Sequence, residues 1–305
     1  SAEPPSPAAA AEESTFEAAL MSANSSMAGR FAATLLLMDV VVKLLFSLLQ
    51  GSFLQWRFDE AILSFDGVIL LFACIAVADV LVLLVVVRQP PGPPPEVDEG
   101  LEAPPQSQQC QALRGAFQLW PLPEVWCIGL TNLTFGLCSG YMNGVVNGSF
   151  AAKSPLFGKA SIGALMACTS LLAAGCSISL DALAQRVGKG LVLGLGGFCF
   201  AGIPLSVLVV QPSAANGFWG IWLLVPYVFQ GLGRSVYEGT NRAVFADFFR
   251  GEQGTGAFAN CMMQSGSAFF TSFLLQSTLP PGTCDRVMAY SVLAIAALTA
   301  PAYAV

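Results

Sequence analysis

Histidine is absent from this 305-residue chain, and that absence excludes a range of chemistry. No imidazole can ligate haem or zinc, relay protons near neutral pH or act as the base of a nucleophilic triad. Charge is scarce too. Asp, Glu, Lys and Arg make up 10% of the residues, against about 25% in ordinary soluble domains. No basic stripe runs along the chain, so nucleic acid is not an expected partner. The nine cysteines contain no CxxC pair, which removes the usual zinc and thiol-redox spacings. Most lie in apolar runs, where a thiol packs as a small hydrophobe; Cys110 and Cys284 are expected in loops. Gly231-Leu-Gly233 is no phosphate loop, because no strand precedes it. No enzyme, cofactor or metal site is expected.

What the chain has in abundance is apolar sequence. Hydrophobic residues make up 55% and the mean hydropathy is +0.67. A membrane helix needs about 20 mainly apolar residues, and eight runs reach that length. They lie at about 31–54, 62–87, 120–147, 156–182, 189–211, 218–249, 255–277 and 285–304. The expected fold class is therefore all-α, a polytopic transmembrane helical protein with about eight spans. Residues 1–29 are rich in Ala, Ser, Pro and Glu and read as a disordered or partly helical segment. Two transmembrane helices occupy 30–87. Residues 88–115 hold seven prolines and four acids and form a linker. Six helices fill 116–305. Arg and Lys in alternate connectors divide six against four, which favours the side carrying the linker as cytoplasmic. Asn147-Gly148-Ser149 is a turn signal on the opposite side and a glycosylation sequon, with Asn147 as acceptor.

Charges inside apolar runs carry the functional information. Within 218–249, Arg234, Glu238 and Arg242 fall at i, i+4, i+8, which stacks an acid between two bases on one helical face. A charge at the bilayer centre costs roughly 2.5–3.5 kcal/mol on insertion scales. Such groups persist when they pair, face a protein interior or line a water-filled cavity. Three readings stay open: a structural network that docks this helix, a transport or coupling site, and an end-of-helix position from which Arg snorkels. Lining a cavity, the set would favour anionic groups or a titratable Glu238. Asp39 and Lys43, also at i, i+4, read as an intrahelical ion pair. Asp79 has no partner in its own run and must pair elsewhere, protonate or face a cavity. Asn132, with Thr131, Thr134, Asn143 and Asn147, sits on the 120–147 run; Asn241 and Asn260 sit on later ones. Amides in lipid default to interhelical hydrogen bonds. Gly136, Gly140 and Gly144 form a repeated GxxxG, and Gly190, Gly194, Gly196 and Gly197 a second small-residue face, both suited to close helix contact.

Three stretches resemble a known family. Gly231-Leu-Gly-Arg-Ser-Val-Tyr-Glu-Gly-Thr-Asn241 is similar to a signature of the Unc-ninety-three-like branch of the major facilitator superfamily. Gly256-Ala-Phe-Ala-Asn260, with Gln264-Ser265-Gly266, resembles the start of that family's eleventh helix. Asp181-Ala-Leu-Ala-Gln-Arg186-Val-Gly188-Lys189 resembles the superfamily's short basic loop. Arg234 stands where the family usually has an acid, and Glu238 where it has an amide, so no chemistry carries over at those two positions. The resemblance covers 120–305 and implies a partial major-facilitator fold, with 88–115 as the central loop of a twelve-helix protein. A first residue other than Met agrees with a fragment. Two functions are compatible with this fold: secondary transport of a small solute or ion, for which the embedded polar and charged residues Arg234, Glu238, Arg242, Asn241, Asn260, Asn132 and Asp79 are the candidate transport or coupling residues, or, as the resemblance implies, a non-transporting regulator or escort of another membrane protein such as a potassium channel.

Overall fold

The computed structural model describes residues 19, 21, 27–30, 32–44, 114–251 and 253–303. Asp79, the second expected span and nearly all of the linker lie outside these residues. Among the described residues all regular structure is helical. Helix α1 covers 32–44. The others are α2 (Pro123–Tyr141), α3 (Ile162–Val187), α4 (Lys189–Val210), α5 (Leu224–Val236), α6 (Arg242–Phe248), α7 (Gln253–Thr278) and α8 (Pro281–Tyr303). A π-helical stretch, Met142–Phe150, continues α2, and a π turn, Tyr237–Asn241, joins α5 to α6.

Local chemistry sets the boundaries. Pro123 opens α2 at a position where its missing N–H costs nothing, and Glu124 meets the positive end of the helix dipole. Gly188, at φ +95°, ends α3 and starts α4; an L side chain is strained at such an angle. Pro281 begins α8, so the expected Pro280-Pro281-Gly282 turn lies partly inside a helix, and Cys284 is a buried α8 residue rather than a loop one. The expected span at 218–249 begins only at Leu224. Before it, Gly217, Phe218, Trp219 and Gly220 all have positive φ, which interrupts a continuous helix. Asn147-Gly148-Ser149 is π-helical and not a connector; the chain turns at 154–158 instead.

Three described helices are long and apolar enough to cross a membrane: α3, α4 and α8. At 1.5 Å per residue, α3 is about 39 Å long, enough for a hydrocarbon core of about 30 Å. Among the other described helices, α5 and α6 are short and separated by a π turn, α2 is long enough but carries the buried polar residues Thr131, Asn132 and Thr134, and α7 buries a polar face of Asn260, Gln264, Ser265 and Ser272. The outer surface is apolar: Leu191, Phe198, Val209, Trp222 and Phe270 are exposed, the pattern of a lipid-facing surface in an integral membrane protein.

Glycine stripes hold the helices close, as the sequence predicts. Gly129, Gly136, Gly140 and Gly144 face Gln264, Ser265 with Ala268, Ser272 and Gln276 of α7. A Cβ on Gly136 would strike the Ser265 backbone carbonyl. Gly190, Gly194 and Gly197 likewise face Tyr303, Ala300 and Ala296 of α8. Pro204 lies inside α4, and its missing N–H frees the carbonyl four residues earlier. That carbonyl, of Phe200, lies 3.8 Å from Cys138 Sγ, which donates to it weakly across the α2–α4 contact.

Candidate functional site

The charged residues converge between α1, α3 and α5. Asp39 Oδ2 accepts hydrogen bonds from Lys43 Nζ at 2.6 Å, Ser170 Oγ at 2.6 Å and Arg234 Nη1 at 2.8 Å. Lys43 and Arg234 also donate to Ser170 Oγ, at 2.9 and 3.0 Å. One carboxylate oxygen thus ties α1 to α3 and α5. The expected Asp39–Lys43 pair is present, but it is one arm of a larger cluster. From Arg234 the charges continue along the helix. Arg234 Nε stands 3.8 Å from Glu238 Oε1, and Glu238 Oε2 pairs tightly with Arg242. Glu238 sits in the π turn, where the widened helix holds it between the two arginines. Such turns recur at functional sites.

Beside this cluster lies a cavity of about 310 Å³. α2 and its π-helical extension contribute Phe135, Ser139 and Asn143; α3 contributes Met166 and Thr169; α5 contributes Gln230 and Arg234; α7 contributes Ser265 and Phe269. Among the described residues, Arg234 is the charged one on this wall. Gln230 is held in place, donating to Ser139 Oγ at 3.2 Å. Tyr237 backs the cavity, with its ring stacked 3.9 Å from that of Phe135 and its hydroxyl 3.1 Å from Ser265 Oγ. A pocket of mixed apolar and polar lining between helices is the usual form of a small-molecule site.

The remaining sequence-predicted residues separate into distinct places. Asn241 Nδ2 donates to Asn132 Oδ1 at 2.8 Å, and Asn132 Nδ2 donates to Gln264 Oε1 at 2.7 Å. These fully buried amides join α2, α7 and the π turn as interhelical glue, away from the cavity wall. Asn260 donates to the Ala116 and Gly256 carbonyls and accepts from Trp120 Nε1, which fastens the chain entering α2 to α7. Arg242 lies beyond Glu238, with its guanidinium 5.9 Å from the Tyr237 ring centroid. Asp79 is outside the described residues. Asn147 is buried and its side chain engages Tyr227, Asn143 and Met166. The folded structure leaves no open space around this side chain for a glycan.

Sequence reasoning missed Ser139, Ser170 and Gln230. One signal was present: Asn132, Ser139 and Asn143 fall at i, i+7, i+11, a single polar stripe on α2. No local pattern indicates that Asp39 reaches Arg234, 195 positions later.

The basic loop forms a second, separate ionic contact. Lys189 Nζ pairs with Asp247, and both side chains are nearly buried. Removing one partner of a buried pair takes away part of what compensates the other charge. Lys189→Ala is therefore expected to lower stability by about 1–2 kcal/mol, below the fully buried range because the pair sits at a helix end within reach of water. Thermal unfolding in detergent checks this; an unchanged midpoint would mean that the contact is a solvated surface pair.

No family model and no solved structure matches the chain. It is similar to Protein unc-93 homolog A of Homo sapiens, with 25% identity over 194 residues, 63% of this chain. The matched region is 40% of that protein's length. The resemblance to Unc-ninety-three-like proteins is thereby borne out.

Proposed function

We propose that this integral membrane protein takes part in secondary transport of a small solute or ion, with the cavity beside Arg234 as its binding site. One observation carries the reading: a cavity inside an apolar helix bundle has a guanidinium, amides and hydroxyls on its wall. An arginine inside a membrane bundle is costly and by default marks a substrate or ion pathway. Alternating access needs a site near the bilayer midplane that opposite faces reach in turn. On this reading Arg234 contacts the solute, Asp39 is its resting counter-ion, and Glu238 is the coupling carboxylate between two cations.

Flux into proteoliposomes tests it. Glu238→Gln keeps the size of the side chain but removes its charge, and is expected to reduce coupled uptake about 100-fold or more, the lower end of the effect of losing a positioned proton-transfer group, with unchanged yield of folded protein. Full uptake by that variant would remove Glu238 from the coupling role.

A second reading has its own support. Arg234 is held by Asp39 and Ser170 in a satisfied ion cluster, the arrangement expected of a clamp that docks helices in a regulator or escort of another membrane protein. Flux absent for every small solute, together with intact folding, would favour this alternative.

A further inference from the structure

The charges beside the cavity do not cancel. Lys43, Arg234 and Arg242 are cationic, Asp39 and Glu238 are anionic, and the five form one connected set. Among the described residues that set carries one net positive charge. Glu238 is engaged mainly by Arg242, since its contact with Arg234 is 3.8 Å long. Asp39 is divided between Lys43 and Arg234. The surplus therefore falls on the Lys43–Arg234 side, and Arg234 is the member that reaches the cavity wall. Its Nη1 holds Asp39 and Ser170 and its buried Nε faces Glu238 Oε1 at 3.8 Å, whereas Nη2 makes no hydrogen bond among the described residues. A guanidinium offers a planar fork that matches a carboxylate.

The rest of the wall sets the size and character of a ligand. At an interior packing density of about 0.74, a cavity of about 310 Å³ holds roughly 230 Å³ of ligand, on the order of a dozen non-hydrogen atoms. Phe135 and Phe269 offer ring surfaces, and Met142 and Met166 offer soft apolar contact.

We propose that this cavity receives a small organic monoanion, a carboxylate on a compact apolar or aromatic body, and that its carboxylate displaces Asp39 from Arg234. The inference rests on the transport reading and names the substrate class of that site. Asp39 is then a tethered stand-in for the ligand. One negative charge neutralises the set, a cation is repelled, and a neutral solute leaves the surplus in place. Displacement also frees α1 from α3 and α5, which links occupancy to helix movement.

Binding of benzoate, benzamide and choline to the purified full chain in detergent, measured by calorimetry, tests the proposal. Benzoate is expected to bind saturably, and benzamide and choline not to bind. Asp39→Asn removes the internal competitor and is expected to raise benzoate affinity about tenfold or more, because the competent form becomes the major one. Arg234→Gln is expected to abolish binding. Should that variant fail to fold, Gly266→Leu serves instead: a Cβ at Gly266 meets nothing within 4 Å, so the longer side chain enters the cavity without a backbone clash and should block benzoate. A folded, monodisperse Asp39→Asn variant with unchanged or weaker benzoate binding overturns the proposal, as does benzamide binding as tightly as benzoate to the unaltered chain. Flux of the same three solutes separates this inference from the transport reading. Benzoate binding without flux leaves the monoanion site standing and removes transport. Flux of benzamide or choline, without Arg234-dependent benzoate binding, keeps transport and removes the monoanion site.

Discussion

Asp39→Ala is expected to destabilise the folded chain by about 2–3 kcal/mol, below the range for stripping one partner from a fully buried ion pair because the cluster is only part-buried, yet sizeable because Lys43, Ser170 and Arg234 all depend on the one carboxylate. The size follows from what remains. Lys43 and Arg234 would face each other with Ser170 as their shared acceptor, two cations in a poorly hydrated site. Their side chains are 23% and 20% exposed, so water relieves part of the repulsion and the fully buried range is not reached. The charge and not the volume is the cause, which a double-mutant cycle separates. Arg234→Met in the Asp39→Ala background removes one of the two stranded cations, and should recover about 1–3 kcal/mol relative to the sum of the single effects. Unfolding midpoints in mixed micelles measure both. Strictly additive losses would mean that Asp39 and Arg234 do not interact in the folded protein.

Gly136→Leu is expected to abolish recovery of folded protein. The position has no room on its α7 side: a Cβ would meet the Ser265 carbonyl oxygen and the Ala268 methyl. Overpacking by a methylene or so costs about 1–3 kcal/mol when neighbours can shift. Here the nearest obstacle is backbone, and the neighbouring contacts at Gly129, Gly140 and Gly144 lock the same helix pair. Relief requires α2 and α7 to separate, which would break the Asn132–Gln264 hydrogen bond and the Tyr237–Ser265 contact at the cavity wall. Gly175→Leu is the control. It is an exposed α3 position where a Cβ meets nothing within 4 Å, and the protein should remain monodisperse. Normal size-exclusion behaviour of both variants would mean that the α2–α7 contact is looser than the structure has it.

The readable parts of this protein were those with a local pattern. Arg234, Glu238 and Arg242 announce one face because four-residue spacing in a helix is local, and the glycines of α2 and α4 announce close contact for the same reason. The ends of α4, α7 and α8 lie within about four residues of their expected places, whereas α3 begins and ends five to six residues later than expected. What escaped depends on the third dimension or on irregular backbone. Asp39 looked satisfied by Lys43, and its third partner is far along the chain. Two π turns leave no compositional mark, yet one presents Glu238 and the other buries Asn147, turning an apparent loop sequon into an interior side chain. The Gly217–Gly220 turn consists largely of residues that also suit a membrane helix, so hydropathy carried the expected span about six residues too far. The amides split in a way that spacing does not reveal: Asn143 reaches the cavity, whereas Asn132 and Asn241 are occupied with each other and their neighbours.

Water access to the cavity is the most direct test that Arg234 belongs to a solute site. Ser139→Cys places a thiol on the cavity wall, next to the fully buried Cys138 on the same helix. Membranes containing the variant would be treated with a charged, membrane-impermeant maleimide, and modification at each thiol read by peptide mass. The expected result is modification at position 139, slowed by benzoate, with Cys138 untouched. A thiol at position 139 that stays unmodified from both sides of the membrane, in a folded protein where a thiol introduced at the exposed connector residue Ala215 does react, would contradict it: Arg234 would then belong to a dry ion clamp and not to a site that a solute can reach.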